Sequence, residues 1–260
     1  MTVKPAPTGT LVQIDRYPVK GLRPDRMAAA ELVPGRGLAL DRRFALAKGS
    51  TKFDGDEPHW LPKSQFLVLA KNAKLAQLTT SFRDTTLCVF RKGRQVACGD
   101  LSTPMGRTII EDFFAAFMGE EAQGKPKVVE MTGDRTFWDT PDGALTLINL
   151  ASIRDLERIT RTPVEPERFR GNLLVEGLDP WVEFDFIDAE VVIGSLRFKV
   201  AGRVDRCAAT TVNPETAERD IQVPKALMQG FGHADLGVYL HVLDAGTITE
   251  GDSVTFSAAG

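Results

Sequence analysis

Short runs of β-prone residues, separated by glycine and proline, dominate the hydrophobic pattern of this chain. Residues 11–17 form one such run, which stops at Pro18. Residues 85–90 and 95–98 flank a Lys-Gly-Arg turn, as the two strands of a hairpin do. Many short strands with regular turn residues favour a barrel or sandwich over a doubly wound sheet. The other predicted strands are 43–46, 128–131, 144–148, 173–175, 191–193, 196–200, 210–212, 238–242 and 253–256.

Two segments have helical periodicity instead. Thr103 can cap the first, Pro104 suits its first position, and Gly119 is placed to end it. A shorter amphipathic helix is predicted over 151–159. The chain is therefore predicted to be mainly β with minor α. The apolar face of the first helix is predicted to contain Ile109, Ile110, Phe113, Phe114 and Phe117.

Composition narrows the class of protein. The apolar fraction is 43% and the charged fraction 26%, as in ordinary globular proteins, and the formal net charge is -3. Neither nucleic acid nor a membrane is therefore an expected partner. Three cysteines are few and odd in number, and the start of the chain resembles no secretory signal, so a cytoplasmic location is expected. Cys88 and Cys98 could be neighbours in the hairpin, but we expect them to be separate small buried residues.

Cys207 is the residue with the most distinctive setting, because Arg206 precedes it and a β-prone Ala-Ala-Thr-Thr-Val run follows. A neighbouring guanidinium favours the thiolate, which attacks electrophiles and binds soft metals. The alternative is a packed structural cysteine, since free cysteines are often buried. Both interpretations stay open on the residues alone.

Basic residues recur beside glycine or proline in four segments. Singly, such residues are usually solvated surface charges. Together, their cations could form a pocket for a phosphate, because guanidinium groups match its oxygens. Motifs of phosphate loops, zinc proteases, paired-cysteine sites and serine hydrolases are missing from the chain. The four segments are 17–21, 41–44, 168–172 and 205–207.

Taken in order, these motifs resemble those of the MOSC family, named for the C-terminal domain of molybdenum-cofactor sulfurase, with its N-terminal β-barrel companion. Residues 17–21 resemble Y-P-[VI]-K-[SG], and 41–44 resemble D-R-x-[FW]. Residues 168–172 match R-F-R-x-N, and 180–183 match P-[WF]-x-E. The resemblance implies a β-barrel-like domain over 1–124 and a MOSC β-barrel over 125–260. The polar segment 120–126 would be the linker.

The resemblance also implies a cofactor and a reaction. In members that bind molybdenum cofactor, the cysteine at the position of Cys207 is the metal ligand and the catalytic residue. The amidoxime-reducing branch reduces small N-hydroxylated substrates with electrons from a ferredoxin- or cytochrome-type protein. Pyridoxal phosphate binding is associated only with the family at large. The residues implied in holding the pterin and its phosphate are Lys20, Gly21, Arg42, Ser152, Arg170, Asn172, Arg206 and Thr210.

The chain also departs from the family pattern. Gly21 stands where a serine is frequent, and Gly171 where proline is usual. Residues 49–64 match the amidoxime-reducing pattern poorly. Two alternatives to a reductase therefore remain. One is a cofactor carrier or sulfur-relay protein with a persulfide on Cys207, and the other is a cofactor-free barrel in which Cys207 only packs.

Overall fold

The computed structural model describes residues 6–53, 61–133, 136–138 and 144–257. Residues 54–60, part of the segment that departs from the family pattern, lie outside this range. The predicted mainly β fold is confirmed. The strands of the described residues are β1 (Thr8–Arg16), β2 (Asp25–Met27), β3 (Ala29–Val33), β4 (Gly37–Leu38), β5 (Phe44–Ala47), β6 (Leu78–Arg83), β7 (Thr86–Arg91), β8 (Arg94–Asp100), β9 (Lys127–Glu130), β10 (Leu145–Asn149), β11 (Leu173–Glu176), β12 (Glu190–Ile193), β13 (Leu196–Asp205), β14 (Asp235–Val242), β15 (Gly246–Thr249) and β16 (Ser253–Ser257).

Three α-helices and several single turns of 3-10 helix accompany these strands. The α-helices are α1 (Pro104–Met118), α2 (Leu150–Thr160) and α3 (Val223–Phe231). Among the described helices, none is both long and apolar enough to cross a membrane. The 3-10 helices are Lys63–Gln65, Ala73–Gln77, Gly119–Ala122, Pro166–Phe169, Val182–Phe186 and Ala208–Thr211.

Seven strands close into a barrel. Their order is β11-β10-β14-β13-β12-β16-β1, and β1 pairs back onto β11 with Ile14 opposite Leu173. The parallel pair β10 and β11 is joined through α2, while the other barrel pairs are antiparallel. Closure leaves no unpaired barrel edge, which is how many-stranded β proteins avoid exposed strand edges.

The barrel draws a strand from before the predicted domain boundary, because β1 precedes residue 124 and lies between β16 and β11. The strand β3 likewise pairs with β15. The segment predicted to be a linker is mostly exposed but is anchored at Ala122, which is fully buried and whose carbonyl accepts a hydrogen bond from the Gly49 amide at 3.0 Å. The division into 1–124 and 125–260 stays a prediction.

Separate apolar clusters fill the barrel, cover its outer face and surround α1. The barrel strands bury one cluster that includes Leu11, Phe198 and Phe256. The helices α2 and α3 cover the outside of the barrel through a second cluster. A third cluster surrounds α1 and the sheet β6-β7-β8. These cores give the turns between strands fixed positions.

The helix α1 begins and ends as predicted. The Thr103 hydroxyl accepts a hydrogen bond from the Gly106 amide at 3.0 Å, and Gly119 is the C-cap. Of its predicted apolar face, Ile110 and Phe114 are buried, and Phe113 and Phe117 are partly buried against the same core. Ile109 is 43% exposed and is the member of the predicted face that points away from that core.

The prediction of a strand at 210–212 is wrong. Ala208–Thr211 is a 3-10 helix. The Thr210 hydroxyl donates to the Cys207 carbonyl at 2.9 Å, and the Thr211 hydroxyl donates to the Ala208 carbonyl at 2.8 Å. Local bonds of this kind compete with sheet pairing, and here they outweigh β propensity.

The prediction for the other two cysteines is also wrong. Cys88 on β7 lies directly opposite Cys98 on β8, and the two form a disulfide. Both are half-buried rather than buried. All three cysteines lie in the described residues, so Cys207 is the free thiol of the chain.

Candidate functional site

A cavity of about 280 Å³ gathers most of the predicted site residues. Ser152 and Asn172 are not part of its lining. The predicted residues that line it are Lys20, Gly21, Arg42, Arg170, Arg206, Cys207 and Thr210. The cavity thus joins turns from the first part of the chain with the end of the barrel strand β13.

Backbone hydrogen bonds hold the two N-terminal motifs side by side. The Lys20 amide donates to the Phe44 carbonyl at 2.8 Å, and the Arg42 amide donates to the Tyr17 carbonyl at 2.7 Å. The buried Asp41 carboxylate accepts from the Tyr17 amide at 2.7 Å. These bonds explain why the segments 17–21 and 41–44 lie next to each other in the structure although they are far apart along the chain.

Two arginines lie against one buried tyrosine. The guanidinium carbons of Arg42 and Arg170 are 4.7 and 4.3 Å from the ring centroid of Tyr17, which is 1% exposed. Cation–aromatic contacts of this length are attractive. Burial raises the pKa of Tyr17 above its ordinary value, so the phenol is neutral at neutral pH. The tyrosine fixes both cations at the cavity wall.

Lys20 and Gly21 form the next part of the wall. Lys20 is 7% exposed, and its ammonium donates to the Phe137 carbonyl at 2.6 Å. Gly21 has φ +87°, and a Cβ there would lie 2.5 Å from the Leu67 carbonyl oxygen. A serine at this position would clash, so the departure from the family pattern follows from the path of the chain.

Asn172 lies outside the cavity lining and supports the lining residue Arg42. Its amide group donates to the Asp15 carbonyl at 3.0 Å, and its oxygen accepts from the Thr146 amide at 3.2 Å and from Arg42 at 3.4 Å. The neighbouring Gly171 allows close packing, because a Cβ there would lie 2.3 Å from a carbon of Ile148. Asn172 therefore acts on the cavity through Arg42.

Ser152 belongs to a buried network on α2. Its hydroxyl donates to Glu183 at 2.9 Å and accepts from the Trp181 amide at 2.9 Å. Asn149 also donates to Glu183, at 2.8 Å. Burial raises the pKa of Glu183, against the effect of these hydrogen bonds. The P-W-x-E motif thus joins α2 to the barrel, and Ser152 contributes to that junction.

Arg206 lines the cavity, but backbone carbonyls accept the hydrogen bonds of its guanidinium. It donates to the Phe169 carbonyl at 2.8 Å and to the Leu236 carbonyl at 2.8 Å through Nε and, more closely, through Nη2. It is 7% exposed, and burial lowers its pKa to about 10, so it remains charged at neutral pH. Arg206 therefore joins three chain segments next to Cys207: its own, the one that contains Phe169 and the one that contains Leu236.

Arg168 holds the segment after Cys207. Its guanidinium forms a bidentate pair with Asp220, at 2.8 and 2.9 Å, and contacts the carbonyls of Thr210 and Thr211. Burial opposes ionisation of Asp220, but hydrogen bonds from Arg168 and Asn213 lower the pKa of that carboxyl below its ordinary value. Arg168 and Arg206, from two of the four basic segments, therefore stabilise the framework of the site.

Cys207 itself is half-buried at the start of the 3-10 helix. The buried Thr210 donates to the Cys207 carbonyl through both its amide and its hydroxyl. This fixes the backbone from which the sulfur extends. The site residues that sequence reasoning missed include Lys63, Trp138 and Tyr239, which line the cavity without any local motif.

The cavity combines one thiol with an excess of positive charge. Among its described lining residues, Asp205 is the acidic one, against the basic Lys20, Arg42, Lys63, Arg168, Arg170 and Arg206. In the part of the chain that the structure describes, no group of three or more His, Cys, Asp or Glu side chains is placed to hold a metal ion. A thiolate can ligate a soft metal, and the surrounding cations can bind an anionic organic cofactor that carries this metal.

Comparisons with known proteins find similarity along the C-terminal half of the chain. The family model of the MOSC domain matches residues 133–255. Mitochondrial amidoxime reducing component 2 of Homo sapiens is 30% identical over 122 residues, which are 42% of this chain and 36% of that protein. Molybdenum cofactor sulfurase of Bombyx mori is 29% identical over 120 residues, 42% of this chain and 14% of that protein.

Among solved structures, the YuaD protein of Bacillus subtilis aligns over 97% of both chains, with a TM-score of 0.45 and 9% identity. The matches to the two curated relatives cover well under two thirds of their lengths. The family match itself spans β10 to β16, which includes Cys207 and most of the barrel. The C-terminal half of this chain is thus similar to the MOSC domain.

Proposed function

We propose that the cavity binds molybdenum cofactor, with the Cys207 thiolate as the protein ligand to the metal. The observation that carries the proposal is the convergence of Cys207 and six basic side chains on one cavity. The similarity to molybdenum cofactor sulfurase and to an amidoxime reducing component supports the same cofactor class.

The residues of the chain divide the work of binding. Lys20, Arg42 and Arg170 carry the charge that attracts an anionic pterin phosphate. Arg168 and Arg206 keep the backbone at Cys207 in place, because their donors are engaged by protein acceptors. The bound cofactor supplies two-electron redox chemistry at its metal, while the protein supplies ligation and charge.

We further propose that the holoprotein is an oxidoreductase for small N-hydroxylated substrates. Two electrons and two protons convert an N–OH group to N–H, and the oxygen leaves as water. The electrons come from a ferredoxin- or cytochrome-type partner. An amidoxime substrate with reduced methyl viologen as chemical donor tests the reaction without the partner. Amidine formation is expected, and its absence in protein with full cofactor content contradicts this part of the proposal.

The cofactor itself is tested by elemental and pterin analysis of protein purified from a host that makes molybdenum cofactor. Stoichiometric molybdenum and pterin are expected in the wild type, with molybdenum lost in Cys207→Ala. A matched control is the double variant Cys88→Ser and Cys98→Ser, which changes cysteines outside the cavity. No molybdenum in the wild type, or equal molybdenum in Cys207→Ala, overturns the assignment.

A second candidate function rests on the partial exposure of Cys207 as a free thiol. In this alternative the thiol carries a persulfide and passes sulfur on, or the domain presents cofactor without turnover. Incubation with cysteine and a cysteine desulfurase, followed by mass spectrometry, separates the two functions. A sulfur adduct on Cys207 supports the relay. An unmodified thiol together with bound molybdenum contradicts the relay, and amidine formation then distinguishes a reductase from a carrier that presents cofactor without turnover.

A further inference from the structure

The segment after Cys207 folds back along itself. Residues 208–220, which we name the Cys207 loop, begin with the 3-10 helix Ala208–Thr211 and return through a bridge between Val212 and Arg219. The Asn213 side chain accepts from the amides of Glu215 and Thr216 and so stabilises the turn. The loop therefore has an internal structure of its own.

Arg219 connects this loop to the opposite side of the cavity. One guanidinium nitrogen donates to the Ala208 carbonyl at 2.8 Å and to the Thr211 hydroxyl at 2.7 Å. The other donates to the carbonyls of Leu69 and Ala70, at 3.1 and 3.0 Å. Leu69 and Ala70 line the cavity, as do Ala209 and Thr210 of the loop. A single side chain thus joins two parts of the cavity rim.

The neighbouring residue anchors the loop in a different direction. Asp220 forms the bidentate pair with the buried Arg168, which belongs to the barrel side. The loop is therefore held to the barrel independently of Arg219. What Arg219 adds is the connection across the cavity to Leu69 and Ala70.

Arg219 is exposed, unlike Arg168. Hydrogen bonds between exposed groups contribute little each, because water replaces them when they break. The connection can therefore open while the cores of both sides stay folded. An arginine suits this arrangement, since its planar group presents donors in two directions at once.

We propose that Arg219 is a positioning residue that closes the cavity over Cys207, and that its bonds to Leu69 and Ala70 break when a ligand passes. This inference rests on the proposed function only in taking the cavity as the binding site. Its test needs neither cofactor nor activity, so the two can fail separately.

The test measures how fast the Cys207 thiol of the cofactor-free whole chain reacts with an aromatic disulfide reagent that releases a coloured thiolate. Because Cys88 and Cys98 are paired, the colour reports Cys207. We expect Arg219→Ala to react about tenfold faster than the wild type. Arg219→Lys is expected to lie between them, because an ammonium keeps the charge without the planar fork.

The matched control is Arg197→Ala, which removes a guanidinium paired with Asp244 at the opposite end of β13. Its thiol reactivity should equal that of the wild type. Thr211→Val, which removes one acceptor of Arg219, should raise the rate by less than Arg219→Ala. This variant keeps the proposal testable if Arg219→Ala does not fold.

Thermal unfolding of each variant separates access from stability. The expected result is a faster reaction of Arg219→Ala at a temperature where its folded fraction equals that of the wild type. A rate unchanged by both Arg219→Ala and Thr211→Val, or raised equally by Arg197→Ala, overturns the proposal.

Discussion

The two sides of the cavity differ in how they use arginine. Under Cys207, Arg168 and Arg206 are buried, and protein carbonyls or carboxylates accept their hydrogen bonds. At the wall formed by Tyr17, Arg42 and Arg170 are half-buried and lie against an aromatic ring. Protein groups also accept from this second pair, since Arg42 pairs with the buried Asp41 and Arg170 donates to the Leu22 carbonyl at 2.8 Å. Both pairs therefore stabilise the framework, and the half-buried second pair also supplies charge to the cavity.

This difference shows that a basic residue in a motif has no fixed role. Arg168 and Arg170 are two residues apart in the same R-F-R-x-N segment, yet they face different tasks. Arg170 has φ +51°, which redirects the chain after the 3-10 helix Pro166–Phe169. Each of the following measurements tests the division between framework and charge.

The largest effect is expected for Arg206→Ala. Removing this buried guanidinium leaves the carbonyls of Phe169 and Leu236 without their donors. We expect the free energy of unfolding to fall by about 3–5 kcal/mol, measured by urea denaturation. The matched change at the wall is Arg170→Ala, which removes a half-buried guanidinium that donates to the Leu22 carbonyl, and it should cost about 1 kcal/mol. Equal losses for the two variants contradict the division.

The next effect concerns two carboxylates with opposite surroundings. Asp15, next to Asn172, is 2% exposed, and one of its oxygens has no hydrogen-bond partner among the described residues. Burial raises its pKa from 3.8 to about 6. Its contribution to stability is therefore greatest below about pH 4 and is lost as the pH rises through 6. Asp15→Asn should stabilise the protein above pH 6 by about 2–3 kcal/mol, with little change below pH 4.

Asp220 under Cys207 provides the matched comparison. Its pKa is lowered through Arg168, so its contribution is present at neutral pH and is lost as the pH falls below the ordinary value of 3.8. Asp220→Asn should therefore destabilise the protein at pH 7. Denaturant unfolding of both variants from pH 3 to 8 measures the two effects. The same sign for both variants at pH 7 contradicts the assignment.

Tyr17 tests how the wall holds its cations. Tyr17→Leu should lower the free energy of unfolding by about 2 kcal/mol and weaken binding of inorganic pyrophosphate, because both guanidinium groups lose their aromatic support. Tyr17→Phe keeps the ring and should change both quantities by less than about 1 kcal/mol. Calorimetric titration and thermal unfolding give the two values. A Phe variant as weak in binding as the Leu variant shows that the ring is not the support.

The smallest effect is expected for single charges at the wall. Arg42→Ala and Arg170→Ala should each weaken pyrophosphate binding about tenfold, which corresponds to about 1.4 kcal/mol. Ser152→Ala, in the network on α2, should leave binding unchanged while lowering the unfolding temperature. Loss of binding in Ser152→Ala would assign this serine to the cavity after all.

Local signals were sufficient for much of the fold. Thr103, Pro104 and Gly119 bound α1 because capping depends on neighbouring residues alone. The alternation that predicts β1 and the hairpin of β7 and β8 is equally local. The ordered family motifs then brought Cys207, Lys20, Arg42 and Arg170 to one cavity, which none of them indicates alone.

The errors have more than one cause. The segment predicted as a strand at 210–212 contains a 3-10 helix because the hydroxyls of Thr210 and Thr211 bond to nearby carbonyls, and Arg168 and Arg219 hold it in place. Cys88 pairs with Cys98 because of strand register, which composition does not specify. Arg219 itself lies in no motif, and its contacts with Leu69 and Ala70 depend on how the two sides of the cavity meet.

The place of β1 in the barrel also has a consequence for how the protein is made. Thr8 pairs with Thr255 and Ile14 with Leu173, so β1 leaves the ribosome long before either of its barrel neighbours, β11 and β16, exists. Such non-local pairing slows folding and leaves strand edges exposed in partly folded chains. Until β16 is made, the growing chain carries the open edges from which β proteins aggregate. Chains that lack β16 are therefore expected to aggregate more readily than chains in which the last strand has closed the barrel.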